Sequence, residues 1–383
     1  MQTDAMHVGL NLVFLVPGEQ GGMEVYAREL LRALPAERPD LRITAFVNRE
    51  ARAAGGEWDQ FAEVVEVPVF ARSRVQWVRG EQQLLPGLAR RAGIDVLHSL
   101  ASTAPARGRF RRVVTIHDLL YRVVPDAHFG ILGLGMRVLI PLAAHRSHRV
   151  IVDSQSTRGD VRRHLRVPEH KLDVVPLGVG TTTAAEPEPA AVLRERHALG
   201  DRQVLLSVSA KRPHKNLARL LEALAAIPGE RRPVLVIPGY PTPYEATLRA
   251  RAEQLGVSGD LRLLDWVSGA ELEGLYALAA AFVFPSLYEG FGLPVLEAMR
   301  RGVPVACSDR SSLPEVAGDA ALMFDPDDAS AITAAVERVL GDPAEAERLR
   351  AAGRAQAQRF TWAATARVTA ASYERAMARR GSA

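Results

Sequence analysis

A chain of 383 residues, 48% hydrophobic and 24% charged, has the length of two domains and the composition of an ordinary soluble globular protein. Cys307 is its single cysteine, which excludes a disulfide framework and a cysteine-based metal site and fits a reducing cytoplasm. No run approaches the ~18 apolar residues of a membrane-spanning helix, and the net charge of +4 is divided unevenly, roughly +5 in residues 1–180 and roughly −1 in the remainder.

Strand-like and helix-like segments alternate throughout, the pattern of parallel sheets covered on both faces. The apolar run from Val8 to Val16 contains Asn11 and has no basic lead-in, so it is expected as a first strand rather than a signal peptide. The expected strands of the first half are 7–16, 42–47, 64–69, 96–99, 113–116, 150–152 and 173–175. A helix follows the first of them, with Ala27, Leu30, Leu31 and Leu34 on one face. Thr157 to Asp160 has the spacing of a capping box. Residues 179–189 are polar, proline-containing and aperiodic, and are expected as a linker between a domain of residues 1–178 and one of 190–360. Strands are then expected at 203–207, 233–237, 261–264, 281–284, 303–306 and 321–324, followed by a helical end.

Chemistry-bearing residues fall at strand ends. Gly21 and Gly22 expose backbone N–H groups where the first helix opens, a seat for phosphate or hydroxyls. The turn is not G-x-G-x-x-G, and no convincing acidic ribose ligand follows the second strand, so a dinucleotide site is disfavoured. His117 and Asp118 close the strand at Ile116; such a histidine is often a hydrogen-bonded structural residue. His98 ends another strand, equally placed to line a cleft or to pack. Of 48 basic residues only Lys171, Lys211 and Lys215 are lysines, and two of these stand beside Arg212 and His214 after the first strand of the second half. Lysine is a compact point charge suited to phosphate, although a solvated basic loop has the same wording. Gly239 and the Trp266-Val267 pair also follow strands; Trp266 serves packing equally well.

Residues 282–302 are the most informative stretch. A buried strand ends near Phe284, and a helix opens at Pro294, with Gly290, Phe291, Gly292 and Leu293 between them. Glu289 and Glu297 flank this anion seat, and carboxylates there suit sugar hydroxyls on either side of a phosphate. The seven-residue spacing with Gly-Phe-Gly-Leu-Pro between the glutamates resembles the E-x7-E signature of retaining glycosyltransferases, specifically glycosyltransferase family 4 with its GT-B fold. The resemblance covers nearly the whole chain, and the Thr-Ile-His-Asp and Arg-Pro-His-Lys-Asn-Leu wording is similar to the mannosyltransferase-like branch.

That resemblance implies two Rossmann-like doubly wound domains facing across a cleft, with the C-terminal helix (361–383) packing back on the first. It implies retaining transfer of a hexose, mannose-like as the first expectation, from a nucleotide-diphospho-sugar to a hydroxyl of a glycan, glycolipid or small molecule. Lys215 would hold the diphosphate and stabilise charge on the leaving group, residues 290–293 would bind the sugar and phosphate through backbone groups, and Glu297 the ribose. Glu289 would bind the sugar hydroxyls in a front-face route, the alternative being a covalent nucleophile. His117, sharpened by Pro125-Asp126 downstream, would contact the donor sugar. Trp266, Val267 and Gly239 would lie at the base, and Lys211 or Arg212 would supply a second charge where many relatives place an arginine nearer Ser209. Gly21 and Gly22 would line the cleft near the acceptor and the diphosphate. No cofactor or essential metal is expected; the D-x-D at Asp325 to Asp327 reads as a helix start. Basic stripes at 72–79 with Trp77, 107–112 and 145–149 suit an anionic membrane face carrying a lipid-linked acceptor, an acidic glycan, or plain solvation. Nucleic acid is disfavoured, no recognition motif accompanying the charge. The expected location is the cytoplasm, or the inner membrane face by peripheral contact. The alternatives are a GT-B sugar-nucleotide epimerase and a catalytically silent binding subunit; a phosphorylase would need a pyridoxal-binding lysine.

Overall fold

The structure is a computed structural model that describes residues 5–55, 57–124, 130–180 and 185–378, with 130–134 by backbone alone. The Pro125-Asp126 pair, residues 181–184 of the expected linker and residues 379–383 of the expected C-terminal helix lie outside these. The chain divides into two compact units, one built mainly from Met1–Val123, His128–Gly178 and Phe360–Ala383, the other mainly from Val179–Arg359.

The first unit holds β1 (His7–Leu12), β2 (Arg42–Val47), β3 (Glu63–Glu66), β4 (Val96–Ser99), β5 (Arg111–Ile116), β6 (Arg149–Val152) and β7 (Leu172–Val174). They form one sheet in the order β3-β2-β1-β4-β5-β6-β7, and each described pairing is parallel. Every residue of β1 is buried, because helices cover both faces of a parallel sheet. The strand stops at Leu12, short of the expected Val16. Asn11 accepts from the Val13 N–H at 3.1 Å, and Asn48 donates to the Val13 and Leu15 carbonyls at 3.0 and 2.7 Å. Two side-chain amides thus take over the backbone and turn the chain out of the sheet.

Helix α1 (Gly22–Glu37) buries Ala27, Leu30, Leu31 and Leu34, the face expected from their spacing. The expected capping box is corrected. Ser154, not Thr157, caps the helix Gln155–Asp160 and accepts the Thr157 N–H at 3.0 Å, so Thr157 lies inside the first turn.

The second unit holds β8 (Val204–Leu206), β9 (Val234–Pro238), β10 (Leu261–Leu264), β11 (Ala279–Phe284), β12 (Val305–Ser308) and β13 (Ala321–Phe324), in the order β10-β9-β8-β11-β12-β13 and again parallel. Helices α2 (Leu217–Ala226), α3 (Gly269–Leu278) and α4 (Leu293–Arg300) follow β8, β10 and β11. A core of Leu205, Leu220, Leu221, Leu235, Ile237 and Val283 joins one face of this sheet to its helices. Both units are Rossmann-like doubly wound α/β layers.

The C-terminal helix α5 (Trp362–Ala378) belongs to the first unit and packs along α1. Its Tyr373 hydroxyl meets His98 Nδ1 at 2.8 Å, His98 Nε2 meets Thr115 Oγ1 at 2.8 Å, and Tyr26 reaches the same Thr115 oxygen at 3.0 Å. His98 is therefore an internal tie, fully buried, and not a cleft residue. Burial pushes its pKa down to about 3, which keeps it neutral. Arg375 adds an ion pair at 2.9 Å to Asp173, which also holds the buried Arg149. Tyr373→Phe leaves a buried ring nitrogen of His98 unpaired and is expected to cost about 1–3 kcal/mol. A lowered thermal midpoint with unchanged circular dichroism would register that loss, and an unchanged midpoint would refute the tie.

Candidate active site

Strand order in the second sheet reverses between β8 and β11, and ligands of doubly wound sheets collect beyond the carboxyl ends of strands at such a point. The loops leaving β8 and β11 meet there. A single 3₁₀ turn, Pro213–Lys215, ends at Asn216, whose left-handed φ of 57° starts α2. The His214 carbonyl accepts the Leu287 N–H at 2.8 Å and the Ser286 hydroxyl at 3.2 Å, stitching this turn to the β11 loop. Lys215 Nζ lies 2.6 Å from Glu289 Oε1 and 5.2 Å from the Phe284 ring centroid. The two residues that the sequence put on different motifs are one ion pair.

Glu289 is fixed by residues that sequence reasoning missed. Ser311 accepts its N–H at 3.2 Å and donates to its carbonyl at 2.5 Å; Ser312 donates to the carbonyls of Glu289 and Phe291 at 3.0 and 2.7 Å. Ser311 holds φ at 58° to do so, a backbone state uncommon outside glycine. Gly292 stands at φ 112°, where an added Cβ would come within 2.7 Å of Leu313, and α4 opens directly after it at Leu293. The run of serines after β12 was the available signal, though nothing in the sequence placed it beside β11.

Glu297 sits in the second turn of α4 and accepts from the Tyr276 hydroxyl at 3.2 Å. Burial raises its pKa, opposed by the Arg301 guanidinium and the Tyr276 hydrogen bond. Arg301 covers the Tyr276 ring at 4.5 Å and pairs with Glu273. Tyr276 and Arg301 carried no sequence signal beyond their helical positions.

Lys211 departs from its expected donor contact. It is fully buried, and its ammonium donates to the carbonyls of Gly239, at 2.6 Å, and Leu264. It straps the ends of β9 and β10 together, and burial lowers its pKa. Arg212 beside it is exposed and remains the second cation of the loop. Gly239 is required where it stands, since at φ 146° an added Cβ would collide with the Ser209 carbonyl. Trp266 is 59% exposed and stacks on Tyr240 at 4.6 Å and 27°, so an aromatic shelf borders Val267 and these strand ends. Asp325 pairs with Arg310 at 2.7 Å, and Asp328 caps the helix Ala329–Gly341.

In the first unit the carboxyl edge carries Gly21, at φ 52° before α1, with Gly22 opening the helix. Glu24 in that first turn accepts the Gly18 N–H at 2.7 Å. His117 lies in this edge with both nitrogens engaged: Nε2 donates to the Leu100 carbonyl at 2.8 Å and Nδ1 faces Asp153 Oδ2 at 2.6 Å. The Leu100 carbonyl can only accept, so Nε2 carries a proton. Burial alone would lower the His117 pKa, but the charge and hydrogen bond of Asp153, with the Leu100 carbonyl, outweigh it and raise it. Trp77, expected as an interfacial aromatic, is only 9% exposed, because the helix Arg74–Arg79 turns it inward.

A raised folded-state pKa adds stability below the unfolded value of about 6.5 and loses it as pH rises through the folded value. Asp153→Asn should abolish this contribution. In NMR titrations His117 of the parent should titrate above about 6.5 and that of Asp153→Asn below it; the same midpoint in both proteins would refute the pairing.

Comparison with known proteins follows the same division. The family model "Glycosyltransferase Family 4" matches residues 20–183, and "Glycosyl transferases group 1" matches residues 191–356. O-antigen chain mannosyltransferase B of Escherichia coli is 33% identical over 255 residues, 66% of this chain and 67% of that one. The serotype-specific mannosyltransferase WbdA of Escherichia coli is 32% identical over 275 residues, 70% of this chain but only 34% of that longer protein. The MMP alpha-(1->4)-mannosyltransferase of Mycolicibacterium hassiacum is 34% identical over 240 residues, 62% of this chain and 56% of that one. Among solved structures, sucrose-phosphate synthase of Thermosynechococcus elongatus superposes with a TM-score of 0.76 at 20% identity, covering 97% of this chain and 99% of that one. Anabaena Alr3699/HepE in complex with UDP and glucose gives 0.74 at 18%, covering 96% and 98%. The structural likenesses establish the GT-B fold, and with the sequence relatives they make this chain a glycosyltransferase that belongs to glycosyltransferase family 4.

Proposed function

We propose that this glycosyltransferase moves a mannosyl group from GDP-mannose to a hydroxyl of a glycan or lipid-linked saccharide, with retention at the anomeric carbon. The Lys215–Glu289 pair at the strand-order reversal is the observation that carries this reading. A diphosphate entering beside it offers Lys215 a stronger partner and releases Glu289 to accept from sugar hydroxyls. Arg212 and the backbone groups of Gly290 to Leu293 would share the phosphate charge, and Glu297, with Tyr276 behind it, would accept from the ribose hydroxyls. Tyr240, Trp266 and Val267 would border the base. Leaving-group charge would thus be met by cationic side chains and helix N–H groups, with no metal required. In a front-face route the departing phosphate takes the acceptor proton, so the enzyme supplies placement and electrostatics. His117, whose pKa Asp153 raises, would serve the sugar, and Gly21 and Gly22 the acceptor.

The donor assignment is supported by the mannosyltransferase names of the relatives, one of them, from Mycolicibacterium smegmatis, described as GDP-mannose-dependent at 36% identity over 201 residues, 49% of this chain and 52% of that one. No described helix is long and apolar enough to cross a membrane. Phe70 and Val75, 44% and 80% exposed beside Arg72, Arg74 and Arg79, support peripheral contact with an anionic membrane on the cytoplasmic side.

GDP at ~100 times its dissociation constant should add about 2.7 kcal/mol to stability, read as a raised thermal midpoint without magnesium, while UDP and ADP shift it less. A shift with UDP alone would reassign the donor. Glu297→Ala should mainly weaken GDP binding, and Lys215→Ala should mainly lower turnover of GDP-mannose; equal, small effects from both would count against the site.

A further inference from the structure

Two basic stripes of the sequence play no part in the proposed transfer, and the fold brings them together. β5 begins at Arg111, β6 at Arg149 and β7 at Leu172, so residues 107–112, 145–149 and Lys171 all enter the first sheet at its amino edge. This edge is opposite the one that carries Gly21 and His117. Arg112 donates from Nε to the Arg146 carbonyl at 2.9 Å and from Nη1 to the Gly108 carbonyl at 3.3 Å. Its N–H meets His148 Nδ1 at 3.0 Å, and Lys171 reaches the His145 and Ser147 carbonyls at 3.0 and 3.1 Å. Arg112 and Lys171 are thus anchored by main-chain oxygens, while Arg107, Arg109 and Arg146 are exposed.

Five arginines of the cluster, Arg107, Arg109, Arg111, Arg112 and Arg146, have no ion-pair partner among the described residues. Nearby carboxylates have other partners: Asp95 accepts the His7 N–H at 3.0 Å, Glu169 pairs with Arg162 at 2.8 Å, and Asp173 pairs with Arg149 of the second stripe and with Arg375. Arg111 Nε is buried and meets no acceptor among the described residues. Burial and then the charges of Arg146 and Arg111 lower the pKa of Arg112; burial and then Arg112, Arg111 and Lys171 push His148 down to about 4. Because His148 Nδ1 accepts the Arg112 N–H, its Nε2 carries the proton and is a further donor. Like charges in one another's field repel, whereas a phosphate group has the charge and acceptor oxygens to satisfy them.

We propose that the amino edge of the first sheet is a binding site for a phosphate-bearing anion, formed by Arg107, Arg109, Arg111, Arg112, Arg146 and His148. Its sources are a phospholipid headgroup or a soluble phosphorylated compound. The site is independent of the transfer reaction and leaves the carboxyl edge of the same sheet open.

Sodium tripolyphosphate titrated calorimetrically into the full chain tests it. Lys215→Ala removes the donor-site lysine from the signal, and binding should persist in that protein. Adding Arg111→Gln and Arg146→Gln should weaken it by about tenfold or more, and adding Arg107→Gln and Arg109→Gln, two exposed residues, should weaken it several-fold without touching the anchored core. Cosedimentation with phosphatidylcholine vesicles, with and without phosphatidylglycerol, separates the sources. Loss of phosphatidylglycerol-dependent binding in the Arg111/Arg146 variant assigns a lipid headgroup, and retained or absent vesicle binding assigns a soluble phosphate. Tripolyphosphate affinity equal to that of Lys215→Ala in both arginine pairs, each with a parental thermal midpoint, would overturn the proposal.

Discussion

The contact between Lys215 and Glu289 organises the second unit. Two opposite charges in a half-buried place attract strongly and also lose water, so their net stabilisation is small. What the pair supplies is registration. It joins the turn after β8 to the loop after β11 across the point where strand order reverses, and the His214 carbonyl, Ser311 and Ser312 hold both loops by their backbones. A cation and a carboxylate prepared in this way, each half of an exchangeable pair, suit a ligand that carries phosphate beside hydroxyls.

The first unit uses a different device. His117 is held between a carboxylate and a main-chain carbonyl, which together raise its pKa against the effect of burial. Asp153 is nearly fully buried, which strengthens its field on the ring. His98, one strand away, is held neutral by burial among hydroxyls. The pKa values of two histidines at neighbouring strand ends thus move in opposite directions because one meets a carboxylate and the other does not.

Much of this was legible in the sequence. Alternating apolar and helical periods gave the strands at nearly their observed positions, since parallel strands buried on both faces read as short apolar runs between turns. The Glu289–Glu297 spacing and the pair of lysines in a lysine-poor chain marked the loops that meet. Lys211 misled because residue type and position matched a phosphate contact, while its direction depends on the Gly239 and Leu264 carbonyls, far along the chain. Trp77 misled in the same way: an aromatic among arginines looks exposed until its helix is placed on the sheet.

The sequence by itself determined the two α/β layers, the strand ends that carry chemistry and the family to which the chain belongs, because these follow from local periodicity and from residues close together in the chain. Only the tertiary structure decided which charges pair, which are buried and which are left without a counter-ion. Lys215 and Glu289 are 74 apart in the numbering, His98 and Tyr373 275 apart, and Arg112 and Arg146 34 apart. Electrostatics and solvation depend on distance in space, and parallel crossovers make that distance unrelated to separation along the chain.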